Sequence, residues 1–212
     1  MKTVLRAFFF AMVSFIFAGS IFAQQDFAIA PGADLAKLLK SGHSVISSRV
    51  EKTQDNWLIL DTDVHTVSDI PIEKAEAVLS DLASHVQVFK GTFSKTSKVV
   101  INGKTAEGTN VTFTTTALGQ DTVYTALAKE QNNLPESFGI LITQINQEEK
   151  IRKVYAQWYA QVVKIDGKQY TYIRFHDSSE VNQASKMGLI KMGVDNAHKA
   201  SLDQLVAGAK KL

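Results

Sequence analysis

Asp166-Gly167 constrains this chain more than any other pair, because it separates two long runs of strand-forming residues. Asp-Gly supplies the positive φ angles that a two-residue hairpin needs. With Ile165 opposite Lys168, counting outward sets Trp158 against Phe175, Ala160 against Ile173 and Val162 against Thr171 on one face. The other face carries Tyr159 against Arg174, Gln161 against Tyr172 and Gln157 against His176. One face is apolar and the other polar-aromatic, the pattern of a sheet covered on one side. On this register Trp158→Ala is expected to cost roughly 3 to 5 kcal/mol. Tyr159→Ala, on the open side, is expected to cost about 1 kcal/mol or less.

Two further turn signals extend the sheet. A turn at Gly119-Gln120 pairs Phe113 with Ala126, Val111 with Ala128 and Thr115 with Tyr124, leaving Thr112, Thr114 and Thr116 on the opposite face. A turn at Asn102-Gly103 sets Lys98 against Glu107 on the face that later carries Val111, so a bulge or a shifted register is expected before Thr109. Phe138 to Ile145 and Arg152 to Lys164 are also strand-like, which makes six strands in this region. Ahead of them, Ser44 to Val50 and Trp57 to Val67 have strand composition. Between the two groups, Ser68-Asp69-Ile70-Pro71 opens a helix running to about Ser84, striped by Ala75, Val78, Leu79 and Leu82, after which His85 to Gly91 leaves the helix. Ala184 to Leu212 is helical by spacing, with Ile190, Val194, Ala197, Ser201 and Leu205 along one face.

The N-terminus supplies an address. Lys2 and Arg6 precede the uncharged apolar run Ala7 to Phe17, and small residues Gly19, Ser20 and Ala23 come before polar Gln24. This is the pattern of a signal peptide over 1–23, cleaved after Ala23, which implies a periplasmic or secreted protein with no transmembrane segment after cleavage. An uncleaved N-terminal anchor is the alternative. Residues 24–43 form a lead-in, with a turn at Pro31-Gly32 and a small helix Ala33 to Leu39 ended by Ser41-Gly42. Residues 44–212 are one domain. Of the 23 basic residues, Lys2 and Arg6 leave with the signal, so the remainder balances the 21 acidic ones. A neutral chain without a basic run excludes nucleic acid as a partner. The absence of cysteine excludes disulfides, thiolate nucleophiles, Cys-ligated zinc and lipidation at an N-terminal cysteine.

The element order, carried by DTDVHTVSDIPIEKAEAVLSDLASHVQVFKG and LIKMGVDNAHKASLDQLVAGAKKL, resembles the START-like superfamily (helix-grip, polyketide cyclase/lipid-transfer-like) over about residues 44 to 212. The resemblance implies an α+β helix-grip fold. In it a curved antiparallel sheet of about seven strands wraps a long C-terminal helix, with one short helix after the first long strand. It also implies a cavity for an apolar ligand, walled by Phe113, Tyr124, Trp158, Ile173 and Phe175 from the sheet and by Met187, Ile190 and Val194 from the helix. The alternative is that these side chains simply fill the core.

Chemistry is sparsely marked. None of the five histidines has metal-ligand spacing. Asp61, Asp63 and His65 alternate as a solvated strand face does, and no metal or cofactor is expected. His176 and Asp177, near Arg174, form an acid-base pair only if they enter a cavity; the register turns Arg174 and His176 outward, where Arg174 is expected to stack on Tyr159. No nucleophile elbow, phosphate loop or dinucleotide fingerprint occurs, so no catalytic residue is assigned. The leading expectation is an exported, non-catalytic protein binding a hydrophobic small molecule or lipid. A second is an interaction module meeting an envelope protein partner through an outer patch of Tyr155, Tyr159, Tyr170, Tyr172 and Arg174. A third is a cyclase- or hydrolase-like enzyme.

Overall fold

Alternating apolar residues over eight segments give eight strands, and in the computed structural model, which describes residues 27–88, 94–117, 120–131, 135–182 and 187–212, they form one curved, unclosed antiparallel sheet. The strands are β1 (Val45–Lys52), β2 (Leu58–Ser68), β3 (Ser94–Thr105), β4 (Gly108–Ala117), β5 (Gln120–Gln131), β6 (Ser137–Gln144), β7 (Ile151–Ile165) and β8 (Lys168–Val181). Their order across the sheet is β1-β2-β8-β7-β6-β5-β4-β3. Helix α1 (Leu35–Ser41) precedes the sheet, α2 (Ile72–Ser80) follows β2, and α4 (Met187–Ala209) closes the chain. A 3-10 turn (Leu82–Ser84) and the short α3 (His85–Val88) continue the path after α2. Among the described residues the sheet therefore has eight strands, matching the two segments before α2 and the six after it and agreeing with the about seven that the resemblance implies. His85, expected to lead the chain out of its helix, is instead buried in a further helical turn.

The β7–β8 hairpin has the register read from Asp166-Gly167: Trp158 faces Phe175, Tyr159 faces Arg174 and Gln161 faces Tyr172. Asp166 at φ 50° and Gly167 at φ 78° both adopt the left-handed conformation that this turn requires. The other two hairpins differ from expectation. Ala117 pairs with Gln120, so Phe113 faces Tyr124 and Val111 faces Ala126. The turn thus comes one residue earlier, and partners shift by two, which keeps every side chain on its expected face. Its two central residues, Leu118 and Gly119, lie outside the described residues. Asn102-Gly103 is not a turn. Thr105 pairs with Gly108, and the expected irregularity takes the form of register shifts between Thr96 and Lys98 and between Ile101 and Gly103.

The concave face holds the main core. Trp158, Ile173, Phe175, Phe138 and Ile140 from the sheet meet Ala75 and Leu79 of α2, Leu82, and Leu202, Leu205 and Ala209 of α4. Thr171 Oγ1 donates to the Ile70 carbonyl at 2.5 Å, joining β8 to the approach to α2. Ser44 Oγ donates to Asp203 Oδ1 at 2.5 Å, and Lys210 pairs with Asp69 at 2.9 Å, holding α4 against the sheet and the start of α2.

The convex face is also covered, and this corrects the reading of an exposed tyrosine patch. Asp34 caps α1 by accepting from the Lys37 N–H at 3.0 Å, and Gly42 ends it at φ 62°. The lead-in places Phe27 and Leu38 in a second apolar layer with Val67, Tyr159, Val163 and Tyr172. Tyr159, Tyr172 and Arg174 are only 2%, 0% and 3% exposed. Phe27 meets the Tyr159 ring edge-on at 6.2 Å and occupies the space above Gly139, where a Cβ would fall 2.3 Å from the ring. The Ala30 N–H donates to the Tyr172 hydroxyl at 3.0 Å. The signal segment 1–23 and its cleavage point lie outside the described residues.

Candidate functional site

The curvature that lets the sheet grip α4 leaves a cavity of about 170 Å³ beside the first half of that helix. Phe113 and Tyr124, neighbours across β4 and β5, stack at 5.5 Å and form one wall. Phe175 forms another, with Ile190 and Val194 of α4 opposite. Behind Phe175 stands Trp158, its ring 4.2 Å away and tilted by 24°. Of the eight side chains assigned to the wall, Phe113, Tyr124, Phe175, Ile190 and Val194 line the cavity. Trp158 and Ile173 belong to the buried layer behind it. The Met187 side chain lies outside the described residues.

Asp177 and His198 also line the cavity. His198 Nε2 is 3.2 Å from Asp177 Oδ2, and its Nδ1 is 2.8 Å from the Val194 carbonyl oxygen. A carbonyl and a carboxylate both accept, so both ring nitrogens donate and the ring is an imidazolium. Burial alone would lower the His198 pKa, but the Asp177 carboxylate, helped by the Val194 carbonyl, outweighs it and holds the pKa above the ordinary histidine value. The Phe175 ring stacks on this imidazolium at 5.1 Å and 20°, a cation–π arrangement. Burial, followed by the Asp177 charge, raises the Tyr124 phenol above its usual range, so its hydroxyl keeps its proton.

His85 of α3 also lines the cavity and is neutral. Burial drives its pKa down to about 4 against the raising effect of its 3.1 Å contact with the Leu79 carbonyl.

The sequence points to Asp177 only together with His176, as a pair conditional on entering a cavity, and of the two only Asp177 lines it. His198 is not singled out there, although signals for both are present. Asp177 lies two residues after Phe175 on the same strand and so shares its face, while His198 follows Val194 by one helical turn. The outward direction assigned to Arg174 and His176 holds, but Arg174 does not stack on Tyr159. Its Nε and Nη2 donate to Asp63 Oδ1 and Oδ2 at 2.8 and 2.5 Å, and its Nη1 donates to the Ala28 carbonyl at 3.3 Å. Asp63 is therefore paired under the lead-in, and Asp61 approaches His176 at 3.7 Å, so the expected open strand face is partly covered. Of the remaining residues assigned to the outer patch, Tyr155 and Tyr170 are half-buried. Among the described residues no group of three or more histidine, aspartate or glutamate side chains is placed to hold a metal ion. No described helix is long and apolar enough to cross a membrane.

This arrangement of sheet, α2 and gripping α4 is the START-like helix-grip fold. Three solved structures show the likeness. The ZhuI aromatase/cyclase of a Streptomyces species matches with a TM-score of 0.56 at 14% identity, covering 72% of this chain and 94% of that one. Human STARD10 matches with a TM-score of 0.55 at 8% identity, covering 77% of this chain and 73% of that one. A START superfamily protein from Mycobacterium smegmatis matches with a TM-score of 0.52 at 12% identity, covering 80% and 99%. No family profile and no curated protein matches the sequence.

Proposed function

We propose that this chain is an exported, non-catalytic protein that carries a hydrophobic small molecule or lipid between its sheet and C-terminal helix. The supporting observation is the cavity itself, walled by Phe113, Tyr124, Phe175, Ile190 and Val194 within a fold shared with START superfamily proteins. Apolar walls with a few convergent polar groups are the usual make-up of a ligand pocket. Delipidated protein should take up fluorescent fatty acids or retain cell-derived apolar molecules detectable by mass spectrometry. Ile190→Trp, which fills the cavity from the helix side, should abolish that uptake. Equal uptake by the filled variant would refute the reading. Export is tested by sequencing the N-terminus of protein recovered from the cell envelope or medium. A chain beginning at Gln24 supports cleavage, and one that keeps residues 1–23 in the membrane fraction supports the anchored alternative.

A cyclase- or hydrolase-like activity is the second reading, supported by the presence of Asp177, His198 and Tyr124 in the same cavity. His198 has both nitrogens engaged, which leaves Asp177 as the base nearest a bound molecule. Turnover of a recovered ligand, lost in Asp177→Asn with binding retained, would favour this reading over simple carriage. The envelope-partner reading has lost its surface, because the lead-in covers Tyr159, Tyr172 and Arg174.

A further inference from the structure

The polar end of the cavity has a chemistry that its apolar walls do not dictate. Asp177 is an obligate acceptor, and among the described residues its carboxylate has one close polar partner, His198. The His198 N–H groups are both used, so the imidazolium neutralises the carboxylate without offering a donor to a guest. Tyr124, stacked on Phe113, adds a hydroxyl that either donates or accepts. A guest that donates one hydrogen bond and accepts another satisfies both groups. A guest carboxylate would set like charges together. The volume narrows the choice further: about 170 Å³ is close to the roughly 150 Å³ of an apolar cavity that admits benzene. Flat rings on two sides, Phe113 with Tyr124 and Phe175 with His198, suit a flat guest.

We infer that the cavity selects a small ring-bearing molecule with a neutral hydroxyl, of the phenol class, whose O–H donates to Asp177 and whose oxygen accepts from Tyr124. This rests on the cavity-binding reading and adds to it the polar group that is recognised. Lys95 and Lys150 are exposed residues of the same cavity lining, so an anionic guest held at the rim is the competing outcome.

Calorimetric titration of the delipidated protein with para-ethylphenol, para-ethylanisole and para-ethylbenzoate separates the cases. The phenol should bind at least about tenfold more tightly than the ether, the usual scale for one hydrogen bond to a charged group, and more tightly than the benzoate by a similar factor. Asp177→Asn should cut the preference for phenol over ether to about threefold or less by removing the charged acceptor. Tyr124→Phe removes the donor to an oxygen that both guests carry, so it should weaken the phenol several-fold while leaving most of the preference for phenol over ether. It tests the inference independently if Asp177→Asn does not fold, and an unchanged phenol affinity would count against it. Equal binding of phenol and ether, or tightest binding of the benzoate, would overturn the inference and leave the cavity reading standing. Binding of none of the three would overturn the inference, and fatty-acid uptake by the same preparation decides separately whether the cavity reading stands.

Discussion

Arg174 of β8 grips Asp63 of β2 through two parallel hydrogen bonds, 2.8 and 2.5 Å long, beneath the segment that carries Ala28. The two residues are diagonal neighbours on the convex face, since Asp63 pairs with His176 and His65 with Arg174. Only 4% of the Arg174 side chain is exposed, against 19% of Asp63, so the pair is largely removed from water. Breaking one side of such a pair costs more than replacing both. Arg174→Met should destabilise the protein by about 3 kcal/mol. Adding Asp63→Leu should recover most of that loss. Urea melts of the two variants check the relation, and a double variant no better than the single would count against it.

Tyr159 is buried beside Phe27, and its hydroxyl donates to Gln161 Oε1 at 2.8 Å. Tyr159→Ala should therefore cost about 3 kcal/mol, within the range for removing a buried aromatic side chain. This replaces the value of about 1 kcal/mol or less that suits an open sheet face. Trp158→Ala, on the concave side, should still cost roughly 3 to 5 kcal/mol. Denaturant melts of both variants measure the comparison directly.

Gly139 gives the Phe27 ring its place, because any Cβ there would meet that ring at 2.3 Å. Gly139→Ala should cost about 1 to 3 kcal/mol through overpacking. In a Phe27→Ala background the same substitution should cost clearly less, since the two sites share one contact. Strict additivity in the double-mutant cycle would mean that Phe27 does not sit on β6.

His85 makes stability fall in acid. Its folded pKa of about 4 lies below its unfolded value of about 6.5, so its contribution is complete above the unfolded value and is lost as pH falls toward 4. The wild type should lose about 3 kcal/mol more than His85→Gln between pH 7 and pH 4. His198 acts in the opposite sense. Its raised pKa adds stability that is full below the unfolded value and fades as pH rises through the folded one, and it is common to both proteins. Urea midpoints at the two pH values isolate the His85 contribution, and parallel losses would exclude it.

Much of the sheet was legible because strand alternation and turn chemistry are local. Asp166-Gly167 set the β7–β8 register and divided Trp158 and Phe175 from Tyr159 and Arg174, and the structure keeps that division. The Gly119 and Gly103 turns were placed less well. A turn shifted by one residue preserves the face of every side chain, and a bulge can take up a glycine that looks like a turn.

What covers each face was decided by contacts between residues far apart in the chain. Alternation shows that Tyr159, Tyr172 and Arg174 share a face, but only the docking of a segment 142 positions away from Tyr172 buries them. The same holds for the cavity. The family resemblance implied Phe113, Tyr124 and Phe175 on its wall, whereas the meeting of Asp177 on β8 with His198 on α4 required the helix to settle into the curved sheet. Period-two and period-3.6 patterns assign side chains to the faces of separate elements. Which faces then meet, and which polar groups become partners on burial, depends on the packing of the whole chain.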